Sequence, residues 1–270
     1  MIEPPPPRPQ GSRALTIASV VTLVAVLVVG FAVLRTIGQR AQRLALSTDL
    51  AAGRIEGEPG ATYSYAWVNN DGSPVRWNPC RPIHWVVNSA GAPAGAIGDL
   101  TDAIARISEV TGIAFVHDGE VDEPTASDRS PAQPRRYGDG WAPLLISWAR
   151  LDSPLGMALS ADPDTVGVAS PIAVSSPGEP GVIVSGQIVL ESAVVTSPGF
   201  LTTRSQGAVI LHELSHVLGL GHTTDNAQLL YEGGEPIAGT GELGPGDRAG
   251  LVSVGRSAGC LETPKPDDLD

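Results

Sequence analysis

Residues 212–222 read His212-Glu213-Leu214-Ser215-His216-Val217-Leu218-Gly219-Leu220-Gly221-His222, and the spacing H-E-x-x-H-x-x-G-x-x-H decides how the rest of the chain is read. Val209, Ile210, Leu211, Leu214, Val217 and Leu218 give the stretch the apolar pattern of a buried helix. Helical residues four apart share a face with Cβ atoms about 6 Å apart, so the imidazoles of His212 and His216 can reach one Zn²⁺ at about 2.0–2.1 Å. Glu213, offset by one residue, falls beside the metal, where its carboxylate can take a proton from a water that the metal activates. Gly219 supplies the left-handed turn that ends the helix without a Cβ clash, and the turn returns His222 to the same ion. Three neutral imidazoles leave a fourth tetrahedral position open, as a catalytic site requires and a structural one does not. The plainer alternative is a buried helix carrying incidental histidines. Three at ligand spacing, with a carboxylate in the base position, outweigh it. His84 and His117 have no partner at such spacing and read as strand or loop residues.

Upstream, the element types alternate. Ile83 to Asn88 is rich in β-branched and aromatic residues, and Ala94 to Thr111 carries Ile97, Leu100, Ala103, Ile104 and Ile107 at helical spacing before Gly112. Ile113 to His117 and Leu144 to Trp148 are further short apolar runs, separated by a polar, Pro-rich stretch, Asp118 to Pro143, expected to be a surface loop. A right-handed crossover through the first helix makes the first two strands parallel. Val166 to Val174 contains Pro171, which confines that strand to an edge, and Val182 to Leu190 follows it.

The N-terminal part has a different character. Ala14 to Leu34 carries no charge and as a helix spans about 30 Å, enough to cross a bilayer core. It is longer than the apolar core of a signal peptide and ends without a clean cleavage site, so the expectation is an uncleaved anchor in the lipid bilayer; cleavage would give a secreted protein instead. The resulting division is a Pro-rich stub at 1–13, the anchor at 14–34, a juxtamembrane segment and linker at 35–75, a catalytic domain at 76–262 and a flexible acidic tail at 263–270. Arg35, Arg40 and Arg43 outnumber Arg8 and Arg13 across the span, which alone would keep the body inside. Large folded domains translocate largely regardless of such charges.

The two cysteines weigh the other way. Cys80 and Cys260 flank the body, and such a pair suits a disulfide in an extracytoplasmic compartment; the alternative is a Cys80 thiolate masking the zinc. With 29 acidic against 17 basic residues and a net charge of -12, the chain lacks the basic clusters that bind nucleic acid. Its 270 residues suit one main domain of roughly 100 to 200 residues plus extensions.

In these residues the chain resembles the metzincin metallopeptidases, and within them the matrixin branch with its small bacterial relatives. The resemblance implies an α+β fold: a twisted, mixed five-stranded sheet, an active-site helix and a C-terminal helix over Leu243 to Val254. It implies zinc held by His212, His216 and His222, Glu213 as general base, and a monomer that cleaves peptide or protein substrates docked along the edge strand near Val166 to Val174. His222 to Tyr231 has the spacing that leads to the family's Met-turn, with Leu230 on the methionine position and Tyr231, next to it, structural. Asp247 falls on a structural aspartate. The family's cysteine switch and the histidines of its structural zinc are missing. A second function fits the departure at Leu230: a zinc-containing surface binding module without turnover. Substrate preference would be set by pocket walls from the loop Glu232 to Gly244.

Overall fold

The structure, a computed structural model, describes Met1 and residues 62–151, 165–175, 179–193, 197–232 and 240–269. The expected stub, the anchor Ala14 to Leu34, the juxtamembrane segment as far as residue 61 and most of the loop Glu232 to Gly244 lie outside the described residues. Among the described residues no helix is long and apolar enough to cross a membrane. The compact unit Leu50–Asp270 contains every element named below.

The strands are β1 (Ser64–Tyr65), β2 (Ile83–Asn88), β3 (Phe115–Glu120), β4 (Leu144–Ala149), β5 (Gly167–Val174), β6 (Val182–Glu191) and β7 (Leu220–Gly221). The helices are α1 (Ala96–Thr111), α2 (Pro134–Tyr137), α3 (Gln206–Val217) and α4 (Pro245–Val254). Five strands form one sheet in the order β3-β2-β4-β6-β5. β2 is parallel to β3 and β4, β4 is parallel to β6, and only β5 runs antiparallel to its neighbour. The fold is therefore α+β with a mixed sheet.

The core lies between one face of this sheet and the helices α1 and α3. Ile83, Trp85 and Val87 of β2, Leu144 and Ile146 of β4 and Ile188 of β6 alternate onto that face, as period-two patterning requires. Leu100, Ala103, Ile104 and Ile107 of α1 pack against them together with Ile210, Leu211, Leu214 and Val217 of α3. Ile97, which also fits the helical spacing, is 36% exposed at the first turn. α1 lies between Gly95 and Gly112, whose φ angles of 85° and 69° place both in the left-handed region that glycine enters without strain.

The other face of the sheet is buried as well, and Asp118 to Pro143, at the surface as expected for most of its length, sends Glu123 and Arg129 inward over it. Its first residues complete β3, which starts two residues later than the apolar run and extends through polar residues to Glu120. The remainder folds over the sheet because Arg129 points inward. All five of its guanidinium N–H groups have partners: two go to the Glu123 carboxylate, one to Ser185 Oγ and two to the carbonyls of Gly186 and Pro143. Gln133 Nε2 and the Tyr137 hydroxyl also donate to Glu123. A buried ion pair is tolerable only when its hydrogen-bonding capacity is filled in this way.

The folded body begins before Arg76. Residues 62–75, expected as the end of a linker, pair with β7 through β1. They then form a hairpin in which Val75 donates to the Trp67 carbonyl at 3.0 Å. Trp77 closes this region onto α3 by donating Nε1–H to the Val217 carbonyl at 2.9 Å. At the other end, Cys80 and Cys260 are joined in a disulfide across 180 residues of chain.

Candidate metal centre

α3 forms because nearly every residue from Gln206 to Val217 is buried and suits a helix, with Ser215 bonding its hydroxyl back to the Leu211 carbonyl at 2.9 Å. His212 and His216 lie one turn apart at its C-terminal end. The helix stops at Gly219, whose φ is 105° and whose Cβ, if it had one, would lie 2.6 Å from the Val75 carbonyl oxygen. Only glycine satisfies both constraints. β7 and His222 follow, and the chain has turned back on the helix.

The three imidazoles converge. Their Nε2 atoms are separated by 2.9 Å (His212 to His216), 3.1 Å (His216 to His222) and 3.3 Å (His212 to His222). The tautomers show what these contacts are. His212 Nδ1 lies 2.9 Å from the Leu229 carbonyl and His216 Nδ1 lies 2.8 Å from the Leu220 carbonyl. A carbonyl only accepts, so both Nδ1 atoms carry the proton and both Nε2 atoms present bare lone pairs. Facing lone pairs at this distance repel unless a cation lies between them. Nitrogen donors at this spacing suit one ion bound at about 2.0–2.1 Å, with the outer nitrogens of His212 and His216 held by carbonyls. The donor set fits a metal, and these residues form a cluster that can hold one. Burial, then electrostatic repulsion between the His212 and His222 imidazoles, push His212 down to about 4 against the hydrogen bond to Leu229, so it stays neutral and able to ligate at physiological pH.

Glu213 is buried at 6% exposure. Burial pushes its carboxyl up to about 8, opposed by the backbone N–H of Ala169. Its place depends on the edge strand: a Cβ on Gly167 would sit 2.8 Å from both Cγ and Oε1 of Glu213. The phase of β5 is fixed because Glu191 donates its N–H to the Val166 carbonyl at 2.9 Å. The pairs Gly167–Leu190, Ala169–Ile188 and Pro171–Gly186 are therefore the ones whose backbone groups turn away from β6. Pro171 sits where no N–H is needed inside the sheet.

Behind the histidines, the segment Leu229–Leu230 is held by α4. Asp247 is fully buried and accepts backbone N–H groups from Leu229 (2.6 Å), Leu230 (3.3 Å) and Gly244 (2.8 Å). Gln228 Oε1 accepts the N–H groups of Gly246 and Asp247 at the start of the same helix. Leu230 is buried in the main core.

The structure thus gathers His212, His216 and His222 and sets Glu213 against Gly167. It leaves His84 on the sheet surface with Asp118, and His117 stacked on Trp85 at 4.0 Å, neither with the cluster. Sequence reading missed the backbone partners: the carbonyls of Leu220 and Leu229 and the N–H of Ala169. No residue type marks them. It also missed Gly167, an isolated glycine in a strand, which does signal close approach.

No protein-family model matches the chain, and no curated protein matches it. Among solved structures the chain is similar to the crystal structure of metalloproteinase-II from Bacteroides fragilis, with 15% identity and a TM-score of 0.37 over 68% of this chain. The match covers 57% of that structure's chain. At this TM-score the likeness carries no argument about activity.

Proposed function

We propose that the chain is a zinc-dependent endopeptidase anchored to a membrane through Ala14 to Leu34, with its folded body extracytoplasmic. The observation that carries the catalytic part is the convergence of three histidine Nε2 atoms at a helix that also carries a buried carboxyl, Glu213. His212, His216 and His222 would hold the ion. When bound, zinc supplies a Lewis acid for the scissile carbonyl and brings the pKa of a water toward 7.

Glu213 does the proton work. Burial holds its carboxyl above the ordinary range, and a cation held by the histidines would draw it down. A group so poised can take a proton from the attacking water and return it to the leaving amine. β5 supplies the substrate platform. Gly167, Ala169 and Pro171 turn their backbone groups away from β6, so an extended peptide can add to the sheet as a further strand. The N–H of Ala169 is engaged by Glu213 and Pro171 has none, which leaves this edge richer in acceptors than in donors. The Cys80–Cys260 disulfide supports an oxidising compartment for the body.

The test compares wild type with Glu213→Ala for zinc content and for cleavage of a mixed peptide library. The expected result is one zinc in each and cleavage only by wild type. Zinc in both without cleavage by wild type would support the binding-module reading instead, and loss of zinc from the variant would make Glu213 a ligand.

A further inference from the structure

His222 follows two glycines, Gly219 and Gly221, and so reaches the site on the backbone with the greatest conformational freedom in the loop. Part of what restrains it comes from the start of the domain. β1 pairs antiparallel with β7, Ser64 opposite Gly221 and Tyr65 opposite Leu220. Ala66 donates its N–H to the Gly219 carbonyl at 2.8 Å. The fit is close enough that a Cβ on Gly221 would lie 2.6 Å from Ser64 Oγ and 3.1 Å from the Tyr65 carbonyl oxygen. Ser64 is buried, and its hydroxyl donates to the carbonyl oxygen of His222. On the following residue, Thr223 donates its N–H to the Leu230 carbonyl at 2.9 Å.

We propose that Ser64 is a positioning residue for the metal centre, acting through the backbone of His222; this rests on the three-histidine reading of the site. His212 and His216 are held by a helix, whereas His222 depends on the loop that carries it. The Ser64 bond fixes the peptide plane on the C-terminal side of the His222 Cα. Together with the Thr223 bond, it sets the direction in which the third imidazole leaves the chain. Without it the ligand can swing, and the metal leaves sooner. Tyr65 provides an internal comparison. Its hydroxyl donates to Ser253 Oγ at 2.9 Å on α4, so it ties the same strand to α4.

The experiment follows zinc release from the full chain to a chromogenic chelator, and the visible spectrum of the cobalt-substituted protein. Wild type, Ser64→Ala, Tyr65→Phe and His222→Ala are compared. Losing one buried hydrogen bond should speed zinc release from Ser64→Ala by about threefold to tenfold and shift its cobalt bands, while Tyr65→Phe matches wild type in both. Ser64→Ala behaving as wild type, or Tyr65→Phe changing as much as Ser64→Ala, overturns the positioning role alone. Unchanged zinc binding in His222→Ala, a variant that leaves Ser64 untouched, overturns the three-histidine reading and the proposal with it.

Discussion

Asp247 and His212 are linked through a single residue. Leu229 donates its N–H to Asp247 Oδ2 at 2.6 Å, and its carbonyl accepts His212 Nδ1–H at 2.9 Å. Leu230, whose N–H shares a peptide with that carbonyl, also donates to Asp247, so a carboxyl group on α4 holds the peptide that sets the tautomer of a histidine on α3.

Replacing Asp247 should therefore act on the metal as well as on the fold. Asp247→Ala leaves the N–H groups of Leu229, Leu230 and Gly244 without their acceptor, at a cost of about 1–3 kcal/mol for a buried group left unsatisfied. Outer-shell partners of metal-bound histidines typically contribute about 10-fold to 100-fold in affinity, so zinc affinity should fall within that range. Urea unfolding and chelator competition on the same preparation measure the two effects. A stability loss with unchanged zinc affinity would make Asp247 purely structural.

Gly167→Ala should impair turnover while sparing metal binding. The new methyl would meet Glu213 Cγ and Oε1 at 2.8 Å, a separation that forces the carboxylate to move. General acid–base catalysis contributes about 10²-fold to 10⁴-fold, and a displaced base should lose a large part of it. Zinc content should stay at the wild-type level. Cleavage at the wild-type rate would mean that the strand, and not the carboxylate, gives way.

The ion pair beneath the covering loop makes stability depend on acid. Burial raises the Glu123 pKa, but hydrogen bonds from Arg129, Gln133 and Tyr137 outweigh it and leave the pKa below its ordinary value. A carboxylate with a depressed folded-state pKa contributes stability that is fully present above its unfolded value, about 4.3, and is lost as pH falls through the folded value. Glu123→Ala leaves Arg129 charged and buried and should cost about 3–5 kcal/mol at neutral pH. Unfolding curves of wild type and variant between neutral pH and pH 3 should converge toward the acid end. A constant gap would show that the Glu123 carboxylate plays no part.

Leu230→Met should be close to neutral. Leucine and methionine have similar volumes, and such exchanges in packed sites usually cost less than about 1.5 kcal/mol. Zinc affinity and peptide turnover should agree with wild type within about tenfold, or roughly 1.4 kcal/mol in barrier. A wild type without activity beside an active Leu230→Met would show that leucine had cost the protein its catalysis.

Much of this architecture is legible in the sequence because burial imposes a period on it. β2, β4 and α1 show their apolar alternation or helical spacing directly, and the 212–222 spacing carries the ligand geometry in its residue types. Three features are not legible, each for its own reason. The stretch after Glu120 is polar, and polarity normally marks solvent, yet Arg129 and Glu123 satisfy each other under the sheet. Residues 62–75 have no strong pattern because β1 is only two residues long and gains its strand character from β7. The supports of His212 and His216 are backbone carbonyls, which every residue possesses.

The disulfide has a consequence for the order of events in the life of the chain. Cys80 and Cys260 enclose all three histidines between them; Asp247 lies close to the second cysteine, and Ser64 precedes the first. A nascent chain that has just exposed His222 therefore still lacks α4 and the cysteine that closes the loop. Structure that depends on contacts between distant parts of a chain forms late, and metal affinity is tied to that folding. The site therefore gains its full support only once Cys260 has been made and has met Cys80. An ion bound by the finished cluster would then be one present where the chain completes its folding.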